Sequence, residues 1–394
     1  MIIKDNFDDI RPFTAEEAGE AFVRVAAHPH FTKMAASFFP ETDPAVFRED
    51  FIRLRSVDEF QQKIMNRVIH TILKESSSGL TYRGFENLDS EKNYIFLANH
   101  RDILLDSAIL QVLLHMHDLK TSEITFGSNL MNDAFVIDLG KLNKMFKIYR
   151  EGSFRELYRN TVRISQYMRC NITTRKESVW IAQRNGRTKD GNDITEIGVL
   201  KMFCMSSEKN FADNLAELNI TPVSISYEYE PCDFYKTQEI YIRRRKKYTK
   251  GLHEDLNSIL HGIRQWKGGI HLAISAPLGH SELVIGEHTP DKFKTVARFI
   301  DTKIYEGYKL WPNNYIAFDL INHSEHYPPC YTEEQKQKFI RYMEQGLSHL
   351  TGDKEELKEI FLHIYGNPVL NKEKNSAGIL TIGKEQVPEM QKKS

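Results

Sequence analysis

A histidine and two aspartates stand where a short apolar run meets a helix-like segment. The run at residues 94–98 is followed by His100 and Asp102, and Asp106 comes one turn later among apolar residues. A histidine that a carboxylate orients can deprotonate an alcohol near neutral pH. Because an ionised carboxylate among apolar neighbours is costly without a partner, Asp106 predicts a partner, and His100 can fill that role.

Both aspartates are candidates to orient His100. Asp102 lies one turn before Asp106 on the same side of the segment, because positions four apart share a helix face. Aspartate is also favoured at a helix start, so Asp102 can instead cap the helix. We predict that Asp106 pairs with His100, since its burial otherwise has no explanation, and Asp102 remains the alternative. A histidine held in the core without a catalytic role is the competing interpretation.

A basic loop that contains glycine follows another apolar run, residues 178–182. Its cations and glycines are Arg184, Gly186, Arg187, Lys189 and Gly191. Glycine allows the backbone to approach a ligand closely, and arginine offers bidentate hydrogen bonds, so the loop suits a phosphate. A polar surface turn has the same composition. Arg150 can add a cation to the site or form a surface salt bridge with Glu151 or Glu156.

The spacing of apolar residues divides the chain into three regions. Residues 1–78 form a helical N-terminal region, with an apolar face drawn by Val57, Phe60, Ile64, Val68 and Ile72. Residues 79–280 hold short runs rich in β-branched and aromatic residues, at 94–98, 178–182, 222–227 and 271–276, separated by helix-length segments. Residues 281–394 are helical and polar. Strands alternating with helices predict an α/β fold with a mostly parallel central sheet and helices on both faces.

Composition excludes several classes of protein. Lys and Arg number 53 against 54 Asp and Glu, so we expect no nucleic-acid partner. The four cysteines are far apart and form no CxxC pair, which predicts neither a disulfide framework nor a zinc site. The longest apolar run has five residues and the N-terminus lacks the pattern of a secretory signal. These features predict a cytoplasmic protein that does not span a membrane, with no metal.

Together these segments resemble the glycerolipid acyltransferase family, in particular bacterial glycerol-3-phosphate and 1-acylglycerol-3-phosphate acyltransferases. The family's four blocks, taken in order, are similar to residues 99–106, Tyr149 with Arg150, residues 185–191 after a strand, and residues 221–228 with Pro222. Two positions depart from the family pattern. Five residues instead of four separate His100 from Asp106, and Asn185 stands where the family usually has glutamate.

The resemblance implies an O-acyltransferase of phospholipid biosynthesis with an acyltransferase α/β domain at residues 79–280. It implies transfer of a fatty acyl group from acyl-carrier protein or acyl-coenzyme A to glycerol 3-phosphate or 1-acylglycerol 3-phosphate. His100 would be the base, Asp106 (or Asp102) its partner, and Arg150, Asn185, Gly186, Arg187 and Lys189 the substrate-binding residues. No cofactor is implied. Because Asn185 carries no charge, another acceptor, such as an amino-acid lipid or another lysolipid, stays open. A lipid-binding homologue without turnover is the remaining alternative.

Six cations lie within the eight residues 243–250. Such a basic run can bind anionic lipid headgroups, an acidic carrier protein or the phosphates of coenzyme A. It can also be a solvated helix end that neighbouring acids balance. With no spanning helix expected, the run predicts peripheral contact with the inner face of the cytoplasmic membrane.

Overall fold

The structure, a computed structural model, describes residues 7–130, 133–149, 152–251 and 254–385. Within these residues seven strands form one sheet. They are β1 Gly79–Arg83, β2 Ile95–Ala98, β3 Glu123–Gly127, β4 Met145–Ile148, β5 Val179–Ala182, β6 Ile220–Tyr227 and β7 Gly269–Ile274. Their order across the sheet is β1-β7-β6-β2-β5-β3-β4. Neighbouring strands are parallel except β6 and β7, which are antiparallel.

Helices surround the sheet and flank it at both ends of the chain. They are α1 Ala15–Ala27, α2 Phe31–Phe38, α3 Pro44–Ile52, α4 Val57–Phe60, α5 Asn66–Ser76, α6 Leu105–Met116, α7 Ala134–Leu142, α8 Phe154–Cys170, α9 Ile197–Cys204, α10 Phe211–Ala216, α11 Asp233–Arg243, α12 Glu254–Arg264, α13 His280–Glu287, α14 Lys292–Gly307, α15 Pro312–Asn322, α16 Glu333–Ser348 and α17 Lys354–Glu385. A π-helical turn, Gln61–Met65, joins α4 to α5. None of the described helices is both long and apolar enough to cross a bilayer.

Strand β2 shows why both faces of the sheet are covered. Successive side chains of a strand point to opposite faces. Phe96 and Ala98 belong to a core formed with helices α1 to α6, whereas Ile95 and Leu97 belong to a core formed with α8, α9, α10, α13 and α14. A third core joins α15, α16 and α17. The predicted α/β fold, with a mostly parallel sheet and helical flanks, is therefore confirmed.

The sheet topology places the candidate residues at one edge. Strands β2 and β5 are parallel neighbours, and their last residues, Ala98 and Ala182, are paired in register. Ligands of open α/β sheets bind at this carboxyl edge. The chain leaves both strands side by side there: the Gln183 N–H donates to the Ala98 carbonyl at 2.8 Å and the Thr188 N–H donates to the His100 carbonyl at 2.7 Å. The predicted boundaries at residues 78 and 280 stay predictions, although every described strand lies between them.

Candidate active site at the carboxyl edge of the sheet

His100 and Asp106 are in direct contact. The His100 Nδ1 lies 2.9 Å from the Asp106 Oδ2, which also accepts the backbone N–H groups of Arg101 at 2.5 Å and Asp102 at 2.9 Å. The Asp106 side chain is 1% exposed and that of His100 is 13% exposed. When Nδ1 carries the proton shared with a carboxylate, Nε2 is the nitrogen that can act as a base. The pairing has the geometry that the predicted catalytic role requires, and the role itself stays a prediction.

Asp102 binds backbone N–H groups at the start of α6, as the alternative interpretation of this residue predicted. Its Oδ1 accepts the backbone N–H groups of Leu104 at 2.9 Å and Leu105 at 2.8 Å, at the start of α6. A carboxylate that satisfies the first N–H groups of a helix stabilises that end. Because α6 begins only at Leu105, Asp106 lies in its first turn and reaches back to His100. This late helix start explains how a spacing of five residues still brings the two side chains together.

Two further residues that the sequence did not single out contact this pair. The Tyr227 hydroxyl, at the end of β6, donates to the Asp106 Oδ1 at 2.7 Å. Burial, followed by the negative charge of Asp106, raises the pKa of Tyr227 well above its usual value, so the hydroxyl keeps its proton and remains a donor. The Trp180 ring, on β5, meets the His100 ring edge-on with centroids 5.5 Å apart. Both side chains restrict how His100 and Asp106 can move.

A buried charge network begins at Arg101, the residue that follows His100. The Arg101 guanidinium donates to Asp193 at 2.6 Å and to Glu230 at 3.2 Å, and the Lys236 Nζ donates to Glu230 at 2.6 Å and to the Arg101 carbonyl at 2.8 Å. Burial opposes the charges of Arg101 and Asp193, but opposite charges around them outweigh it, so the pKa of Arg101 is raised and that of Asp193 is lowered. Two cations and two anions thus balance within the core.

The same network holds the basic loop in place. Asp193 also accepts hydrogen bonds from Asn99 at 2.8 Å, Thr188 at 2.5 Å and Tyr308 at 2.5 Å. At Gly191 the backbone has a φ of +74° and a Cβ would overlap the carbonyl oxygen of Ile364 on α17. Only glycine fits this close approach without displacement of the helix. The basic loop is therefore fixed by β2 on one side and by the C-terminal helices on the other.

The loop residues face the same cavity as His100. The cavity has a volume of about 750 Å³, and its lining includes Asn185, Gly186, Arg187 and Lys189. Lys189 forms an ion pair with Glu239, and burial lowers the pKa of Lys189 although that carboxylate opposes the shift. Among the described residues, neither Arg187 Nη1 nor Arg184 Nε has a hydrogen-bond partner, although both atoms are buried. The fifth predicted binding residue, Arg150, lies outside the described residues.

The wall of this cavity has two chemical characters. Its apolar side chains come mainly from the strands β3, β4 and β5, with one residue before α6 and one after β3: they are Ile103, Ile124, Phe126, Leu130, Met145 and Trp180. Its cations come from the basic loop and from the end of α11 and the residues after it: they are Arg184, Arg187, Lys189, Arg243, Arg244 and Lys250. An amphiphile with an acyl chain and an anionic group matches both characters.

The basic run at 243–250 therefore contributes to the cavity wall. Acids already pair with four of its six cations: Arg243 with Glu239 at 2.7 Å, Arg244 with Glu356 at 3.3 Å, Arg245 with Glu356, and Lys250 with Asp255 at 2.5 Å. Salt bridges of this kind reduce the charge available to a distant anionic surface. The predicted contacts of the run with a membrane, a carrier protein or coenzyme A stay predictions.

Asp301 on α14 anchors the end of the basic loop and leads to a prediction about pH. Its Oδ1 accepts the Thr195 N–H at 2.8 Å and the Thr195 hydroxyl at 2.6 Å. Burial raises the pKa of Asp301 to about 7, above the ordinary aspartate value of 3.8. The folded state thus favours the protonated acid, and ionisation destabilises it progressively as the pH rises from about 4 to above 7. Asp301→Asn keeps the accepting oxygen and removes this penalty.

We expect Asp301→Asn to exceed the parent protein in stability by up to about 4 kcal/mol at pH 8, since three pKa units at 1.36 kcal/mol each are at stake, and by little near pH 4. Urea unfolding at the two pH values measures the difference. The exposed Glu344→Gln on α16 is the matched control. A gain of the same size at both pH values would contradict the assignment.

Within the described residues, no three His, Cys, Asp or Glu side chains cluster so that they could hold a metal ion. Comparison with known proteins gives no match to a family model and none to a curated protein. Among solved structures, the 1-acyl-sn-glycerophosphate (LPA) acyltransferase PlsC from Thermotoga maritima is similar to this chain, with a TM-score of 0.39 and 13% sequence identity. The match covers 74% of this chain and 92% of that chain.

Proposed function

We propose that the protein is an O-acyltransferase that moves a fatty acyl group from a thioester to a hydroxyl of a phosphorylated glycerol acceptor. The observation that carries this proposal is the His100–Asp106 pair in a cavity with one apolar and one cationic wall. The base supplies the chemistry, the apolar wall suits an acyl chain, and the cations suit a phosphate. The resemblance of the four sequence blocks points to the same reaction.

In the proposed mechanism, His100 Nε2 removes the proton of the acceptor hydroxyl while its oxygen attacks the thioester carbonyl. Asp106 holds the ring through Nδ1 and stabilises the imidazolium that forms. The tetrahedral intermediate then collapses, the carbon–sulfur bond breaks, and the thiolate takes the proton from His100. The products are an ester and a free thiol, and His100 returns to its neutral form. Asp106, fixed by two backbone N–H groups and Tyr227, needs no rearrangement during this cycle.

The cationic wall positions the acceptor in this proposal. The guanidinium groups of Arg184 and Arg187, which line the cavity, offer charge-assisted hydrogen bonds to a phosphate, with Lys189 as a further cation and Arg150 as a proposed one. Holding the phosphate orients the hydroxyl toward His100 and converts a bimolecular encounter into an oriented one. We propose glycerol 3-phosphate or 1-acylglycerol 3-phosphate as acceptor, acyl-carrier protein or acyl-coenzyme A as donor, and phospholipid biosynthesis in the cytoplasm or at the inner face of the membrane as the setting.

Asn185 supports a second candidate acceptor class. It is exposed, and its backbone N–H donates to the Glu196 carboxylate at 3.1 Å. An uncharged amide in place of the usual glutamate changes which acceptor hydroxyl or headgroup the loop favours, because an amide both donates and accepts hydrogen bonds. An amino-acid lipid or another lysolipid would then replace the glycerol phosphate.

The test is an acyl-transfer assay of the purified full-length chain with acyl-coenzyme A and acyl-carrier protein as donors. The acceptors are glycerol 3-phosphate, 1-acylglycerol 3-phosphate, a zwitterionic lysolipid and an N-acyl amino acid. We expect ester formation with the phosphorylated glycerol acceptors. Turnover confined to the last two acceptors would favour the second candidate. Binding of lipid without turnover of any pair would favour an inactive homologue.

Arg187→Ala tests the role of the cationic wall. Hydrogen bonds to charged groups are worth about 1.5–3 kcal/mol, so we expect the KM for a phosphorylated acceptor to rise about 10- to 100-fold. The KM for the acyl donor should change by less than about twofold, because the lost interaction acts on the group that it binds. Steady-state kinetics with each substrate varied in turn measures both values. Equal increases for both substrates would show that Arg187 is structural, and the exposed Arg341→Ala serves as control.

A further inference from the structure

The outer face of α12 carries large apolar side chains in solvent. Leu256 and Leu260 lie one turn apart and are 50% and 44% exposed, and Trp266, just after the helix, is 51% exposed. Residues four apart share one face of a helix. Leu256, Leu260 and Arg264 thus form a row on one face, and the indole follows beyond its end. Ser258 and Gly262, by contrast, are buried and point to the protein.

Three cations lie on α12 or in the segment that precedes it, whose Tyr248 and Lys250 contact the first turn of the helix. Lys246, Lys247 and Arg264 are exposed, and in the part of the chain that the structure describes no acid forms an ion pair with them. They differ in this from Arg244 and Arg245, which both pair with Glu356, Arg244 also lying 3.8 Å from Glu359. Charges without a local partner are the ones that attract an anionic surface over a Debye length of about 8–10 Å.

Helix α12, which carries the apolar face, contacts both the cavity wall and the residues around His100. Lys250 and Asp255 line the cavity, and their ion pair of 2.5 Å joins the basic run to the first turn of α12. The Tyr248 hydroxyl donates to Glu254 at 2.6 Å in the same turn. On the inner side of the helix, a Cβ at Gly262 would overlap Asp102 Oδ2. Helix α12 therefore separates the residues around His100 from the surface that the leucines occupy.

We propose that Lys246, Lys247, Leu256, Leu260, Arg264 and Trp266, which we term the α12 surface, dock the protein on an anionic lipid bilayer. The proposal rests on the proposed function, since the amphiphiles of that reaction reside in a bilayer. Leucines and an indole inserted at the headgroup level, with cations beside them, are typical of interfacial helices. Docking here places the cavity mouth next to the lipids, so that an acceptor enters without crossing water.

Vesicle flotation with the full-length chain tests the docking surface. The probes are vesicles of phosphatidylcholine alone and vesicles with 30% phosphatidylglycerol, a composition chosen for the assay. We expect binding to the anionic vesicles that weakens as salt is raised. Leu256→Ser with Leu260→Ser should reduce the partition coefficient at least about tenfold, and Lys246→Gln with Lys247→Gln should abolish the preference for anionic over neutral vesicles.

Matched controls carry the same substitutions elsewhere. Ile285→Ser removes an apolar side chain that is 50% exposed on α13, and Lys338→Gln removes an exposed cation on α16. Neither should change vesicle binding. Circular dichroism and thermal unfolding verify the fold of each variant. The proposal is overturned if the α12 variants bind anionic vesicles as well as the parent does. It is also overturned if they lose affinity for a carrier protein while vesicle binding is unchanged.

The outcome is separable from the proposed acyl transfer. With glycerol 3-phosphate and a short-chain acyl-coenzyme A, both soluble in water, the variant Leu256→Ser with Leu260→Ser should turn over at the parent rate. With acceptor embedded in vesicles, its rate should fall in step with binding. If the parent protein docks but transfers no acyl group to any acceptor, the proposed function fails and the docking surface stands. If it transfers acyl groups but does not dock, the reverse holds.

Discussion

His100→Ala is expected to lower the rate of acyl transfer by about 10²–10⁴-fold or more while the protein remains folded. The imidazole is the group that takes the acceptor proton, and alanine offers no substitute. The ring lies at the cavity wall and is partly exposed, so its removal leaves the surrounding core intact. Initial rates with saturating donor and acceptor, together with a thermal unfolding curve, measure both parts of this expectation. His349→Ala, at an exposed histidine just after α16, is the control.

Two aspartate variants identify the partner of His100. Asp102→Asn retains an oxygen that can cap α6, so it should keep most of the activity. Asp106→Asn removes the charge that stabilises the imidazolium, so its rate of acyl transfer should fall. Because both oxygens of Asp106 accept hydrogen bonds, the amide NH₂ would face a donor, and the fold of this variant must be checked separately. Full turnover by a folded His100→Ala variant would contradict the proposed mechanism. Loss of acyl transfer in Asp102→Asn alone would show that Asp102, and not Asp106, is the partner of His100.

The contact between His100 and Asp106 was accessible from sequence because the two residues are local neighbours. A carboxylate among apolar residues requires a partner, and His100, six residues earlier in the chain, supplied one. Tyr227 was not accessible in the same way. It is 121 residues from Asp106 along the chain, and the two meet only because β6 pairs with β2. A tyrosine in an apolar strand gives no sign of which carboxylate it contacts until the strand order is known.

The four apolar runs predicted as strands correspond to β2, β5, β6 and β7, which are buried along most of their length. Strands β1, β3 and β4 were missed, and for the two edge strands, β1 and β4, the reason is physical. Edge strands bury one side at most, and β1 is largely exposed while β4 is buried only at Met145 and Phe146. Their sequences therefore lack the continuous apolar run that marks a central strand. The antiparallel pairing of β7 likewise has no local signature.

The basic run illustrates a limit of counting charges. Six cations in eight residues fitted either a patch that binds an anionic partner or a helix end that acids balance, and folding brings Glu356 to Arg244 and Arg245 from more than 100 residues away. Only the position of α17 beside α11 reveals this neutralisation. Lys246 and Lys247 are exposed, have no ion pair among the described residues, and lie in the segment that leads into α12.

Arg101→Met is expected to destabilise the protein by about 3–5 kcal/mol, because breaking a buried ion pair leaves an uncompensated charge in the core. Arg101 is 4% exposed and Asp193 is 0% exposed. Without the guanidinium, Lys236 remains the cation in contact with Glu230, while Asp193 keeps only neutral donors. Urea unfolding at pH 7 measures the loss, with the exposed Arg341→Met as control.

The double variant Arg101→Met with Asp193→Asn distinguishes the effect of the unpaired Asp193 charge from the effect of the changed packing at Arg101. If the unpaired Asp193 carboxylate causes the loss of stability, neutralising it should restore part of that stability. The effects of substitutions within one network of contacts are not additive. A double variant that loses the sum of the two single effects would locate the cost in packing instead. Asp193 accepts hydrogen bonds from Asn99 beside β2 and from Thr188 in the basic loop. Arg101→Met should therefore also loosen the loop that carries Arg187, so that the KM for the acceptor rises along with the loss of stability.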